Sequence, residues 1–142
     1  MNKEECIAFM KKFPNFQLAT VDSDGQPRTR GMFLYTADED GLVFHTGSFK
    51  KLYTELTANH RIEASFFDRE TMTQLRAAGI VEEIDDADYR NTVVNTPGRE
   101  FLKPMIAAKG LESIRIFRVR NLRVTEWGFA SNFVYPKPET VF

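Results

Sequence analysis

A chain of 142 residues with 19 basic and 20 acidic side chains has a formal net charge of −1. Bulk charge therefore recruits no nucleic acid, and any anion site must be local. A hydrophobic share of 42% and a charged share of 27% suit one globular domain over residues 1–142, long enough for a sizeable core.

The elements follow in chain order. Apolar residues at Cys6, Ile7, Phe9, Met10 and Phe13 recur at helical spacing, and Pro14 stops the helix. Cys6, the only cysteine, lies on its apolar side, which predicts a buried inert thiol and excludes an internal disulfide or a cysteine zinc cluster. Phe16 to Val21 predicts a strand and Asp22-Ser23-Asp24-Gly25 a hairpin turn. Arg28 to Thr36 is the second strand, Asp38-Glu39-Asp40-Gly41 the second turn, and Leu42 to Thr46 the third strand, so that the three form an antiparallel meander. A helix through about Thr57 follows, with Ser48 expected as its N-cap. Arg61 to Phe67 and Thr73 to Glu83 are the fourth and fifth strands, and Gly79 marks a bulge or a close backbone approach in the latter. Asp85 to Val94 reads as a helix, Arg99 to Met105 as a shorter one that Pro104 suits poorly, and Ile114 to Trp127 as a long last strand bent near Asn121. The tail from Ser131 to Phe142 is expected to be extended or loose.

Six short strands with interspersed helices predict a mainly β fold, a closed or nearly closed six-stranded antiparallel barrel without exposed edges. The 13 phenylalanines suit the core of such a barrel better than they suit a dedicated ligand surface. No stretch approaches the roughly 18 apolar residues of a membrane span. The N-terminus lacks the uninterrupted apolar run of a signal peptide. The expectation is a cytoplasmic protein with no membrane partner.

Candidate chemistry concentrates between Phe16 and Leu56. Arg28 and Arg30 precede an apolar strand segment, and Lys50 and Lys51 stand at the start of the following helix. A meander brings these pairs together, and a helix N-terminus adds backbone N–H groups and a favourable dipole for an anion. Arginine offers phosphate oxygens a planar fork. A phosphate-bearing cofactor is one reading; four solvated surface cations are the other. His45 and His60 are the only histidines, with no partners at ligand spacing, so no metal site is expected. His45 either donates to a ligand or is a hydrogen-bonded strand histidine. Ser48, Thr20 and Thr46 lack a base partner for nucleophilic catalysis.

The pieces LATVDSDGQPRTRGMFLY, GLVFHTGSFKKLYTEL and TQLRAAGIVEE resemble the pyridoxamine 5'-phosphate oxidase-like FMN-binding split barrels, in the family's order from Leu18 to about Glu83. The resemblance implies FMN as cofactor and a homodimer with FMN at the subunit interface. It implies that Arg30, Ser48, Lys50 and Lys51 hold the FMN phosphate. Gly31, Met32, Phe33 and Leu34 then run beside the flavin ring, and His45 and Thr46 end the third strand beside it. Gln74, five residues before Gly79, reaches the flavin, and Trp127 approaches it across the interface. The tail GFASNFVYPKPETVF has no arginine, whereas pyridoxamine phosphate oxidases carry an arginine-rich segment there. Oxidation of pyridoxamine phosphate is therefore not expected, and the chain resembles small members akin to nitroimidazole reductases. The function implied is an FMN-dependent oxidoreductase of small molecules, with a reduced nicotinamide as reductant. A flavin- or haem-binding sensor, carrier or store is the non-enzymatic alternative.

Overall fold

The computed structural model describes residues 1–142. Its elements are α1 (Lys3–Lys12), β1 (Asn15–Val21), β2 (Pro27–Phe33), β3 (Thr36–Asp38), β4 (Gly41–Gly47), α2 (Lys51–Ala58), β5 (Arg61–Asp68), β6 (Thr73–Glu83), α3 (Ala87–Val94), α4 (Lys103–Lys109), β7 (Ile114–Trp127) and β8 (Glu139–Val141). All pairings are antiparallel, in the order β2-β1-β5-β6-β7-β4-β3, with β8 beside β7. The six long strands are those expected from sequence, and two three-residue strands bring the total to eight.

The expected three-strand meander is corrected in one respect. The second strand breaks at Leu34-Tyr35, so β2 pairs only with β1, and β3 only with β4. At the break the Leu34 N–H donates to Pro14 O and the Tyr35 N–H to Val43 O, both at 2.8 Å. One strand path thus changes partners halfway along and closes the sheet. This is the split of the barrel, and it leaves Arg28 and Arg30 on a different pairing from Lys50 and Lys51.

Alternation fills the interior. Phe16 on β1, Phe44 on β4, Phe66 on β5 and Phe117 on β7 are all fully buried. Phe16 stacks on Phe66 with centroids 4.9 Å apart, Phe44 on Phe117 at 5.8 Å, and Phe16 meets Phe44 edge-on at 6.1 Å. Burying one such ring contributes about 1.5–3 kcal/mol. These four are a minority of the 13 phenylalanines, and Phe33, Phe49, Phe67, Phe101, Phe129 and Phe133 are exposed, contrary to the expectation that the phenylalanines chiefly fill the core. Cys6 and Met10 of α1 complete it, as the helical spacing predicts.

Two backbone features shape the sheet. Ala78 pairs with Arg123 and Ile80 with Arg120, so Gly79 faces the extra residue of a bulge that includes Asn121, at φ 54°. A Cβ on Gly79 would come within 2.6 Å of Val119 Cγ1 and 2.8 Å of Arg120 O. Glycine is thus required by close approach, and the bend in β7 falls where it was expected.

The helical segment between β6 and β7 covers the outer face of β3, β4 and β7. Val43, Val93 and Ile116 form a small second core there with Tyr35, Ile84 and Tyr89. Asp86 caps α3 through the Tyr89 N–H. The expected helix from Arg99 is a single 3-10 turn over Glu100–Leu102, followed by α4. Pro104 falls in the first turn of α4, where its missing N–H costs no intrahelical bond. The tail is less loose than expected: Arg123, Val124 and Thr125 pair with Val141, Thr140 and Glu139. No helix is long and apolar enough to cross a membrane.

Candidate functional site

The cations of the expected phosphate corner converge on the start of α2. Lys50 is the N-cap residue, in extended geometry and without a side-chain cap. Ser48 is therefore not the cap; it lies inside a tight turn closed by Lys50 N–H to Gly47 O, and its own N–H donates to Ser113 O. An uncapped N-terminus leaves first-turn N–H groups available to an anion. Lys50 and Lys51 flank it, both exposed, and Lys50 has no acidic partner while Lys51 reaches Asp22 at 3.8 Å.

The two arginines are held by acids of the chain itself. Arg28 Nε donates to Asp22 Oδ2 at 2.9 Å. Amide donation from Gln26, followed by the Arg28 hydrogen bond, keeps the Asp22 carboxyl below its ordinary range. Arg30 points to the α2 side of the sheet, where its Nη2 meets both oxygens of Glu55 at 3.2 Å and its Nη1 meets Thr20 Oγ1 at 3.3 Å. Thr20 also donates to Glu55 at 2.6 Å. Burial pushes Glu55 up, but the Thr20 and Arg30 hydrogen bonds outweigh it and hold the carboxyl below its ordinary value. Arg30 is thus pre-oriented, half-buried and paired with Glu55, which lies one helical turn from Lys51 on α2.

Gly31 and Phe33 face outward from β2, whereas Met32 packs on the core and Leu34 is buried at the split. A groove of about 960 Å³ crosses this outer face, lined among others by Phe13, Gln17, Gly31, Phe33, Ser65 and Phe67. Gln17 pairs with both Gly31 and Ser65, so β1 forms its floor. Thr46 is buried on the inner side of β4 beside Leu42 and Phe44.

Gln74 and Trp127 are cross-strand partners at the far end of β6 and β7. Gln74 Nε2 donates to Ser65 Oγ at 2.8 Å, and Trp127 Nε1 to Asn132 Oδ1 at 3.0 Å. β6 lies three strands from β2, roughly 14 Å at about 4.8 Å per strand. Within one subunit the structure therefore brings Arg30, Lys50 and Lys51 together and leaves Gln74 and Trp127 apart from them.

Sequence reasoning missed Arg99. It is 5% exposed, yet no Asp or Glu pairs with it. Its Nη2 donates to Leu34 O at 2.7 Å and its Nε has no partner. The guanidinium lies 4.3 Å from the Phe33 ring centroid, 5.5 Å from Tyr35 and 6.0 Å from Phe101. His45, on the outer side of β4, stands 6.0 Å from the same Phe101 ring, and its Nε2 is buried without a partner. Burial first, then Arg99 and Lys50, lower its pKa to about 4. Neutral imidazole is the form present at pH 7. Pro97-Gly98 marked only a break, so nothing in the sequence flagged the arginine that follows.

A family model described as pyridoxamine 5'-phosphate oxidase matches residues 3–128. A pyridoxine/pyridoxamine 5'-phosphate oxidase of Cupriavidus metallidurans is 39% identical over 71 residues, which are 50% of this chain and 34% of that protein. The chain thus spans about a third of the length of that curated relative. A NimC/NimA family protein of Clostridium acetobutylicum shares the fold at TM-score 0.72 and 16% identity, covering 98% of this chain and 92% of that one. A pyridoxamine 5'-phosphate oxidase-related, FMN-binding protein of Nostoc punctiforme does so at TM-score 0.64 and 16% identity, over 96% and 88%. The haem storage protein HutZ of Vibrio cholerae does so at 0.63 and 18%, over 84% and 90%. At these identities the structures establish a shared fold alone. The family rests on the model match, and with 3–128 of its 142 residues aligned to that model the chain belongs to the pyridoxamine 5'-phosphate oxidase family.

Proposed function

We propose that this chain is an FMN-binding oxidoreductase of small molecules that works as a homodimer. The observation that carries the reading is the uncapped start of α2, flanked by Lys50 and Lys51, with Arg30 held one turn away by Glu55. Those residues fit a phosphate: an N-terminus with free N–H groups, two exposed ammonium groups and a planar fork already oriented. Gly31 to Leu34 and His45 then border the flavin ring, with Thr46 behind them in the sheet. FMN, when bound, supplies the hydride and electron chemistry.

The protein's own part is binding and shaping. Phe33 and Phe67 provide exposed apolar walls to the groove. A second copy placed across this face brings its Gln74 and Trp127 toward the phosphate corner, which they do not reach within one chain. A C2 arrangement makes two equivalent sites from one self-complementary surface. The reductant in this reading is a reduced nicotinamide and the substrate a small electrophile. The arginine-free tail argues against pyridoxamine phosphate as that substrate. A haem reading needs His45 Nε2 to reach iron, and the Arg99–Phe101 turn stands beside it.

Fluorescence titration tests the phosphate corner. FMN is expected to bind at least tenfold tighter than riboflavin, and Lys50→Ala to remove most of that difference, at about 1.4 kcal/mol per decade. Equal affinities for the two flavins would overturn the assignment.

A further inference from the structure

We propose that Arg99 and His45 form a second anion-accepting site, one that takes the carboxylate of a small planar molecule. The observation behind it is a buried charge without a counter-ion. A buried guanidinium ordinarily pairs with an acid, because desolvating it alone is costly. Here it has one carbonyl, Leu34 O, three aromatic rings and no acid. Two hydrogen-bonding nitrogens that share this corner, Arg99 Nε and His45 Nε2, are both buried and both unmatched. Two unmet nitrogens around one ring describe a site shaped for a group with more than one polar atom.

The ligand class follows from the chemistry. A guanidinium presents Nε–H and Nη–H as a fork matched to a carboxylate. With Nη2 already committed to Leu34 O, Nε–H remains for one carboxylate oxygen. His45, neutral at pH 7, donates from Nε2 in the tautomer protonated there. Phe33 and Phe101, edge to face at 6.5 Å, provide an apolar wall suited to a flat body attached to the carboxylate. Both rings are exposed, at 39% and 56%. Arg99 therefore lies one side-chain layer below the surface. The turn that carries Arg99 and Phe101 begins at Gly98, whose φ of +92° is a glycine conformation.

This site is distinct from the phosphate corner but shares Phe33 and His45 with the proposed border of the flavin ring, and its assignment does not rest on FMN binding. Arg30, Lys50 and Lys51 take no part in it beyond the positive field that Lys50 adds at His45.

The test uses the full chain with 15N-labelled histidine, stripped of flavin, and benzoate as probe. Benzoate is expected to shift the His45 Nε2 resonance saturably, and benzamide, its uncharged isostere, to bind at least tenfold more weakly. Arg99→Gln is expected to weaken benzoate at least tenfold, with Arg99→Lys intermediate because it keeps the charge and loses the fork. Equal binding of benzoate and benzamide, no saturable shift at His45, or undiminished benzoate binding in Arg99→Gln would each overturn the proposal. The benzoate–benzamide comparison on the unaltered chain decides the matter even if the Arg99 variants fail to fold. An FMN titration of Arg99→Gln separates the two readings: intact FMN binding with lost benzoate binding assigns the two sites independently. Lost FMN binding in that variant would overturn their separation.

Discussion

Acidification should destabilise this protein through His45 before Asp22, Glu55 and Asp68 titrate. The imidazole has an ordinary pKa of 6.5 and is lowered to about 4 in the fold, first by burial and then by Arg99 and Lys50. The folded state therefore resists a proton that the unfolded chain accepts. Stability is complete above pH 6.5 and falls as pH drops from 6.5 toward 4. A displacement of about 2.5 units at 1.36 kcal/mol each amounts to about 3 kcal/mol once both states are protonated, of which about 2 kcal/mol is already lost at pH 5. Asp22, Glu55 and Asp68 are held below ordinary values of 3.8 to 4.5. Their stabilisation is present above those values and lost only as pH falls further. Urea unfolding at pH 7.5 and pH 5.0, on the wild type and on His45→Phe, isolates the effect. The wild type should lose about 2 kcal/mol more than the variant between the two conditions. Parallel losses would refute the burial argument and place a partner or solvent at His45 Nε2.

Arg30→Ala should lower stability by about 2 kcal/mol, less than the 3–5 kcal/mol of a fully buried broken pair because Arg30 is partly exposed; a urea midpoint within error of wild type would remove Glu55 from its proposed dependence on Arg30. Phe66→Ala should cost about 3–5 kcal/mol by opening a cavity beneath Phe16, read as a shift in urea midpoint, and a loss below 1 kcal/mol would mean that the barrel interior collapses to fill it. Gly79→Ala should cost about 1–3 kcal/mol through overpacking against Val119 and Arg120, and a neutral thermal melt would show that β7 moves aside freely.

The strands were legible because their alternation records which face is buried. Phe16, Leu18 and Thr20 point inward with Ala64 and Phe66 opposite, and no other register hides those side chains. Gly79 was legible as a point of close backbone approach because an isolated glycine inside a strand has few other reasons to be there; the extra residue of the bulge lies opposite it, on β7. The split at Leu34-Tyr35 was not legible. Nothing in RGMFLYTAD changes character where the chain changes hydrogen-bond partner, since both halves need the same alternation. Ser48 was misplaced as a cap for a related reason: the turn needs Gly47 O for the Lys50 N–H, which delays the helix by two residues. Arg99 was hidden because sequence shows charge and not burial, and an arginine after Pro97-Gly98 reads as a loop residue.

The distribution of charge pairing argues that the chemistry lies around one end of β4. Nine of the 19 basic side chains meet an acid of the chain, among them Arg30 with Glu55, Arg28 with Asp22, Arg115 with Glu83, Arg118 with Asp38 and Arg90 with Asp85. Acids outnumber bases by 20 to 19, so partners are not scarce. Lys50 and Arg99 are among the ten bases without an acid, Arg99 is the buried one, and both act on His45. An exposed Lys50 costs little in water, whereas a buried Arg99 without an acid carries a desolvation penalty that a purely structural role could have avoided with an apolar residue. The aromatic contacts of Phe33, Tyr35 and Phe101 offset part of that penalty. What remains is a local positive field in a chain whose formal net charge is −1, beside a strand segment with exposed apolar rings. Such an arrangement favours ligands that combine a flat apolar body with an anionic end, and disfavours cations and compact hydrophilic anions alike.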